Sequence, residues 1–295
     1  MIRYDQPVYR PPSEADSLII QAVIGCPHNR CHFCDMYKSK RFMPKAQEEI
    51  LADLKAAKTM FGDGERTIFL ADGNAIVLPA KRLVEICDTA KELFPKLRRI
   101  TCYGSAKFVV KKTPQELRAL AEAGLTRIHM GLESGDPETL ERIGKGATPE
   151  TFIKAGRMVM EARIELSLYV MVGVAGLERS KEHAVKSARI INEISPTFVR
   201  LRTFVPREKT LLYDQWKEGK LTLLDPYEAI TETKLFLERI DTSTLLLSDH
   251  RSNFLDVSGR LPDQKEELLE KIEEALTWPR SRFRPDTAEL VHWGL

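Results

Sequence analysis

The sequence predicts an α/β fold with a parallel sheet, on three observations. Short apolar runs alternate with longer amphipathic segments, as crossover helices between parallel strands require. The strand–helix unit recurs with a period of about 30 residues, as expected of a barrel or a doubly wound sheet. Helix-stop signals stand where the repeat needs them, at Gly62-Asp63-Gly64, at Gly124 and over residues 192–196.

The elements follow in chain order. Residues 1–17 form a polar arm that carries Pro7, Pro11 and Pro12. Apolar runs then predict six strands, near 18–24, 67–71, 99–104, 127–132, 165–172 and 197–203. Amphipathic segments between them predict helices near 46–61, 80–94, 114–123, 149–162 and 181–194. Past Pro206 the pattern changes: Pro226 opens a helix to about residue 240, a short strand follows at 245–247, and 263–276 reads as a charged amphipathic helix. The domain reading is an arm (1–17), a main strand–helix unit (18–205) and a C-terminal extension packed on it (206–295).

Composition excludes several classes. The 295 residues are 43% apolar and 30% charged, the balance of a chain that buries a core. Lys and Arg number 45 against 43 Asp and Glu, so a formal charge of +2 gives no molecule-wide field for nucleic acid or an acidic membrane. No apolar run approaches the roughly 18 residues of a membrane span. Residues 1–17, with Arg3, Asp5, Arg10 and Asp16, hold no apolar signal core, and the expected compartment is cytoplasmic.

Five cysteines are too few for a disulfide scaffold in a chain of this length, and three of them crowd into one segment after the first strand. Cys26, Cys31 and Cys34 are spaced C-x4-C-x2-C. Three thiolates on one loop can hold three irons of a 4Fe-4S cluster and leave the fourth iron open as a reaction site. Zinc is the competing reading, with His28 and His32 completing a tetrahedron. Structural zinc usually draws its ligands from two separated pairs, however, and the sequence has no second pair.

At this point the sequence resembles the radical S-adenosylmethionine (SAM) superfamily, in the branch related to Elp3 and oxygen-independent coproporphyrinogen oxidase, over roughly residues 18–202. Cys31-His32-Phe33-Cys34 fits the second half of the family's cysteine motif, while the gap from Cys26 to Cys31 is one residue longer than usual. Gly131-Leu132-Glu133-Ser134-Gly135, followed by Leu140 and Lys145-Gly146, is similar to the branch's fourth-strand signature.

The resemblance implies a partial (β/α)6 barrel of the TIM type, a 4Fe-4S cluster on Cys26, Cys31 and Cys34, and SAM bound at the open iron. It also implies reductive cleavage of SAM to a 5'-deoxyadenosyl radical that removes hydrogen from a substrate, under anaerobic conditions, with an electron from a low-potential donor such as flavodoxin or ferredoxin. The family accepts the methionyl amino group on a Gly-Gly-Glu-like turn after the second strand. That position reads Asp72-Gly73-Asn74 here, so Asp72, Gly73 and Asn74 are expected to bind the methionyl end. Ser105, Glu133 and Ser134, at successive strand ends, are expected to contact ribose or methionyl groups. For Glu133 a helix-capping carboxylate is the structural alternative.

Strand parity reads the lumen independently, because alternate residues face opposite sides of a strand and the helix-covered side must be apolar. Ile128, Met130 and Leu132 then face the helices, and His129, Gly131 and Glu133 the lumen. The same parity sends Tyr103, Ser167, Tyr169, Met171, Arg200 and Arg202 inward. Tyr103, His129, Tyr169, Met171, Arg200 and Arg202 are therefore the expected substrate-facing residues. Two buried guanidiniums require partners: Glu133 can neutralise one at most, the SAM carboxylate can meet another, and a substrate carboxylate or phosphate is expected in forked contact, the alternative for one arginine being backbone carbonyls or Glu208.

A small-molecule substrate is the reading favoured over nucleic acid. Two other functions stand beside it: a tRNA-modifying radical SAM enzyme, and a zinc-stabilised module that binds a ligand without catalysis. Cys87 and Cys102 read as buried small residues, too few for a second cysteine-held cluster. Lys38, Lys40, Arg41 and Lys45 read either as an ordinary surface loop or as a dock for an acidic electron donor, and residues 249–253 either as a closure of the barrel mouth or as a solvated turn.

Overall fold

In a computed structural model the described residues, 1–283, fall into two units. The first comprises 1–29, 36–130 and 154–166; the second comprises 30–35, 131–153 and the residues from 167 on. The end of the expected extension, 284–295, lies outside the described residues. The fold is α/β, with mostly parallel strands flanked by helices in the manner of a partial (β/α)6 barrel.

The chain runs through β1 (Leu18–Gln21), β2 (Val23–Ile24), β3 (Met43–Pro44), α1 (Gln47–Phe61), β4 (Arg66–Ala71), α2 (Ala80–Leu93), β5 (Leu97–Tyr103), α3 (Ala106–Val109), α4 (Pro114–Ala123) and β6 (Leu125–Glu133). In the first unit β1, β4, β5 and β6 pair in that order, all parallel, with Ile19 opposite Phe69, Phe69 opposite Thr101 and Tyr103 opposite His129. One side of these strands carries Ile68, Leu70, Ile100, Cys102 and Ile128, all buried. On α2 and α4 the positions Leu83, Ile86, Cys87, Leu117 and Leu120 are buried at helical spacing, each Leu or Ile stabilising by roughly 1.5–3 kcal/mol. The bounds of α4 are legible because Thr113 and Glu116 form a reciprocal capping box ahead of Pro114 and the chain leaves the helix at Gly124.

The chain continues through α5 (Pro137–Arg142), α6 (Pro149–Glu161), β7 (Glu165–Val172), α7 (Ser180–Ile194), β8 (Phe198–Thr203), α8 (Leu211–Lys217), α9 (Pro226–Glu238), β9 (Thr244–Leu247), β10 (Gly259–Leu261) and α10 (Lys265–Leu276). In the second unit β7 and β8 are parallel, with Tyr169 opposite Arg200 and Met171 opposite Arg202. β9 adds in parallel to β8 and β10 antiparallel to β9.

Four details depart from the sequence expectations. The run 18–24 is not one strand: Ala22 still donates its N–H to Ala71 O at 2.7 Å, but its own carbonyl accepts from Lys45, and Val23–Ile24 pair with β3 instead. The chain thus changes partner just before the cysteine loop. The C-terminal extension carries, beyond its expected short strand β9, which adds to β8, a further strand β10 that the sequence reading did not contain. Residues 249–253 do not stand in solvent as a unit. Asn253 is buried, accepts the Thr203 N–H at 2.7 Å and donates to Leu201 O at 2.9 Å, so it ties down the end of β8. Finally, Lys40 and Lys45 are buried in ion pairs with Asp72 and Asp53, which removes both from any electron-donor dock.

Candidate active site

The first part of the candidate site is built where β2 and β4 end. Asp72, directly after β4, is fully buried. Its Oδ2 accepts from Gln21 Nε2 at 3.0 Å, from the Gly25 N–H at 3.0 Å and from Lys40 Nζ at 3.2 Å. The Gly73 N–H returns to Gly25 O at 3.1 Å. A Cβ on residue 73 would lie 2.7 Å from the Cys26 Cβ, so only glycine lets this turn press against the cysteine. The Asp72-Gly73 turn therefore holds the segment that carries Cys26. Burial raises the Asp72 carboxyl pKa, with the three donors offsetting part of that rise. Its second oxygen, Oδ1, is buried with no hydrogen-bond partner among the described residues. Asn74 and Ser105 are joined to each other: Asn74 Nδ2 donates to Ser105 Oγ at 3.0 Å, and the Ser105 N–H donates to Asn74 Oδ1 at 3.3 Å.

Cys31 and Cys34 lie in the second unit, on a segment pinned through the residue between them. The His32 N–H donates to Ile143 O at 2.8 Å, and the His32 carbonyl accepts from the Leu212 N–H of α8 at 3.1 Å. Nδ1 of the ring lies 2.7 Å from Arg142 O; a carbonyl only accepts, so Nδ1 bears the proton. Arg207 adds an ion pair to Asp35 at 3.3 Å. Leu212 and Arg207 belong to the C-terminal extension, so the extension helps to fix the cysteine segment. Among the described residues no group of three or more His, Cys, Asp or Glu side chains converges on a single ion. A 4Fe-4S cluster asks for no such convergence, because each thiolate takes its own iron.

β6 ends on Glu133, whose φ of +64° is the left-handed backbone that non-glycine residues rarely adopt. Its carboxylate meets Lys145 Nζ at 2.9 Å, and that ammonium stands 5.7 Å from the centre of the Phe33 ring. Burial works against the Lys145 charge, but Glu133 first, and then negative charge on Cys31 and Cys34, hold its pKa above the ordinary lysine value.

Ser134 is fully buried, and its Oγ serves the Asp136 N–H at 3.0 Å and His183 Nδ1 at 2.9 Å. Behind it, Asp136 is clasped by Arg179 and Lys186 at 2.8 Å each, which hold its pKa far below the carboxylate range despite burial. His183 Nε2 faces Glu232 Oε1 at 3.4 Å. Glu232, on α9, accepts the Gly173 N–H at 2.8 Å and the Ser180 hydroxyl at 2.6 Å. Burial pushes Glu232 up to about 7 and His183 down to about 4.

The expected substrate-facing residues divide between the units. In the first, Phe69, Tyr103 and His129 share a strand face as an edge-on ring cluster, Tyr103 lying 5.1 Å from Phe69 and 6.2 Å from His129. His129 Nε2 is also bonded to Glu14 Oε1 at 3.0 Å. Glu14, from the arm, is buried and also pairs with Ser17 and Arg99. Burial alone would raise its pKa, yet His129, Ser17 and Arg99 together bring it down to about 2. In the second unit Ser167, Tyr169 and Met171 share a face with Arg200 and Arg202. Arg200 Nε approaches Ser167 Oγ at 3.3 Å, and the Arg202 guanidinium carbon lies over the Tyr169 ring, 5.1 Å from its centre. Both arginines are half-buried rather than buried, so water meets part of the solvation demand that strand parity alone assigned to partners.

Sequence reasoning gave no role to Glu14, Lys145, His183 or Glu232. Lys145 had a signal, its place in the segment after Glu133, whereas Glu14 meets His129 across 115 residues and Glu232 meets Gly173 across 59, and neither had one.

The sequence profile of the radical SAM superfamily matches residues 20–188. The chain belongs to the radical SAM superfamily. The shared chemistry of this enzyme superfamily is cleavage of SAM and generation of a radical. This radical SAM chain is 29% identical over 188 residues to the 4'-phospho-dehydrooxetanocin synthase of Priestia megaterium, a match covering 57% of this chain and 25% of that protein. It spans between 22% and 52% of the length of the first three curated relatives. Its fold is similar to that of Escherichia coli coproporphyrinogen III oxidase (HemN), at a TM-score of 0.57 and 15% identity, over 76% of this chain and 52% of that one. It is similar also to Methanocaldococcus infernus Elp3, at 0.54 and 16% identity, over 88% and 63% of the two chains.

The superfamily is associated with a 4Fe-4S cluster and SAM, and the residues present fit both: three thiols on one segment, a turn at Gly73 that leaves no room for a side chain beside Cys26, and an unpartnered buried oxygen on Asp72. Among the described residues no helix is long and apolar enough to cross a membrane.

Proposed function

We propose that the protein holds one 4Fe-4S cluster on Cys26, Cys31 and Cys34 and, with SAM and an electron from a low-potential donor such as flavodoxin or ferredoxin, removes hydrogen from a small anionic substrate in the cytoplasm. When bound, the cluster and SAM supply the 5'-deoxyadenosyl radical; the chain binds, orients and keeps out water. Asp72, through Oδ1, with Gly73 and Asn74 takes the methionyl end of SAM. Ser105, oriented by Asn74, and Glu133 take its ribose or methionyl groups. Ser134, whose hydroxyl is already shared by His183 and the Asp136 N–H, acts as a positioning residue for the turn after Glu133.

One observation carries the substrate class. The Arg202 guanidinium lies over the Tyr169 ring, 5.1 Å from its centre, and forms no hydrogen bond or ion pair with any described residue. Its donors are then left for a carboxylate or phosphate, which a guanidinium can hold in forked geometry. Arg200 and Met171 share its strand face and would complete that wall, while Tyr103 and His129 supply an aromatic wall stiffened by Glu14.

The test uses reconstituted protein under anaerobic conditions with a chemical reductant, scoring 5'-deoxyadenosine formed in response to charge-fractionated small-molecule extracts. The anionic fraction should stimulate the wild type, and Arg202→Gln should keep basal formation while losing that stimulation. Stimulation by neutral fractions alone, or an unchanged response in Arg202→Gln, contradicts the anion reading. A response confined to RNA favours a tRNA-modifying enzyme instead.

A further inference from the structure

Lys145 and Glu133 form a charge pair with a direction. The segment 142–145 is stitched to the cysteine segment by the two His32 bonds, to Ile143 O and Arg142 O. The ammonium thereby sits on Phe33, between Cys31 and Cys34 in sequence, while the carboxylate lies on the strand side. The backbone is shaped for this. Glu133 takes a positive φ, and its carboxylate folds back over Gly131, where any side chain would collide with it. Both side chains are close to buried, at 12% exposure for Lys145 and 11% for Glu133, so water screens the pair weakly. The Lys145 ammonium has no other hydrogen-bond or ion-pair partner among the described residues.

Resting on the cluster assignment to Cys31 and Cys34, we infer that the Lys145–Glu133 pair sets the reduction potential of that cluster. Accepting an electron adds one negative charge to a centre that already carries anionic thiolates. A fixed positive charge beside the cysteine segment favours the reduced state, and the carboxylate behind it moderates that bias. The two residues therefore act with opposite sign. Removing the ammonium leaves Glu133 as an uncompensated anion and disfavours reduction, whereas removing the carboxylate charge leaves Lys145 uncompensated and favours it.

The measurement is the midpoint potential of the reconstituted cluster, followed by electron paramagnetic resonance during reductive titration, with iron and sulfide content determined on each sample. Lys145→Met should make the midpoint more negative and Glu133→Gln more positive, each by about tenfold in the reduction equilibrium, which is 59 mV for one electron. Lys145→Arg, which keeps the charge, should return it towards the wild type. A merely structural role predicts loss of cluster content in both variants, or shifts of the same sign in both, and either result would overturn the inference. Loaded clusters with unshifted midpoints would overturn it as well. If Lys145→Met fails to load, Glu133→Gln and Lys145→Arg decide alone. Wild-type protein that holds no iron–sulfur cluster would instead remove the functional reading on which the inference rests.

Discussion

Two acid–lysine pairs stand at strand ends of this chain, and they are used differently. Asp72, after β4, is saturated on Oδ2 by Gln21, Gly25 and Lys40, and Lys40 is shared further with Asp5, so the pair pins the segment leading to Cys26. Glu133, at the end of β6, has one short bond to a lysine that rests on Phe33 beside the other two cysteines. The first pair spends its charge on backbone and side-chain donors; the second keeps a net direction of charge. The same two residue classes therefore serve attachment in one unit and electrostatics in the other, and the number of donors around the acid tells them apart.

The comparison breaks first at the cysteines themselves. Cys26→Ala, Cys31→Ala and Cys34→Ala should each abolish the broad visible absorption of the reconstituted protein and all SAM cleavage. Cys87→Ala and Cys102→Ala should leave the absorption in place, since both thiols are fully buried in apolar surroundings that push their pKa values up. Full absorption in any one of the first three variants contradicts the ligand set.

A smaller effect separates the two pairs. Asp72→Asn should lower unfolding stability by about 3 kcal/mol, the order expected when one member of a buried ion pair is removed, here with Lys40 left to the half-exposed Asp5 alone. It should also release the Gly25 N–H and reduce iron loading. Glu133→Gln should cost less, about 1 kcal/mol, because it keeps a hydrogen-bonding group on a pair that is not closed by further donors. Denaturant midpoints with equal slopes would measure both, and equal losses would erase the distinction.

The Glu232–His183 contact gives a pH test. Glu232 is raised from 4.5 to about 7, so its share of stability is present below pH 4.5 and lost as pH rises through 7. His183 is lowered from 6.5 to about 4, so its share is present above pH 6.5 and lost as pH falls through 4. Each amounts to roughly 3 kcal/mol, and the opposite slopes cancel in the window where they overlap. Glu232→Gln should therefore uncover a stability that declines on acidification below pH 6.5, and His183→Gln one that declines as pH rises towards 7. Parallel pH profiles in the two variants would contradict the assignment.

The smallest effect lies at the half-exposed Arg207–Asp35 pair, where Arg207→Ala should change stability by no more than about 0.5 kcal/mol. A larger loss, seen by thermal unfolding, would mean that the C-terminal extension holds the cysteine segment through this ion pair rather than through the Leu212–His32 backbone bond.

Much of the fold was legible in the sequence. β7 and α4 fall on their expected residues, because an unbroken alternation and a complete capping box mark their ends. The strand run at 18–24 was misread because apolar character cannot show a change of pairing partner at Ala22. In the site, parity set Tyr169 and Met171 on the face of Arg200 and Arg202, since that follows from local geometry. The partners Glu14 of His129 and Glu232 of His183 were illegible, because each acid comes from an element whose own pattern says nothing about where it packs. Lys40 looked like a surface charge for the same reason: its burial is a property of Asp72, thirty-two residues away.

The most direct test of the account is chemical analysis of anaerobically reconstituted protein followed by a single assay with SAM and a strong reductant. About four iron and four acid-labile sulfide per chain are expected, with 5'-deoxyadenosine and methionine formed in proportion to the cluster and absent in Cys31→Ala. Protein that takes up stoichiometric zinc without sulfide, and leaves SAM intact under the same reduction, would contradict it.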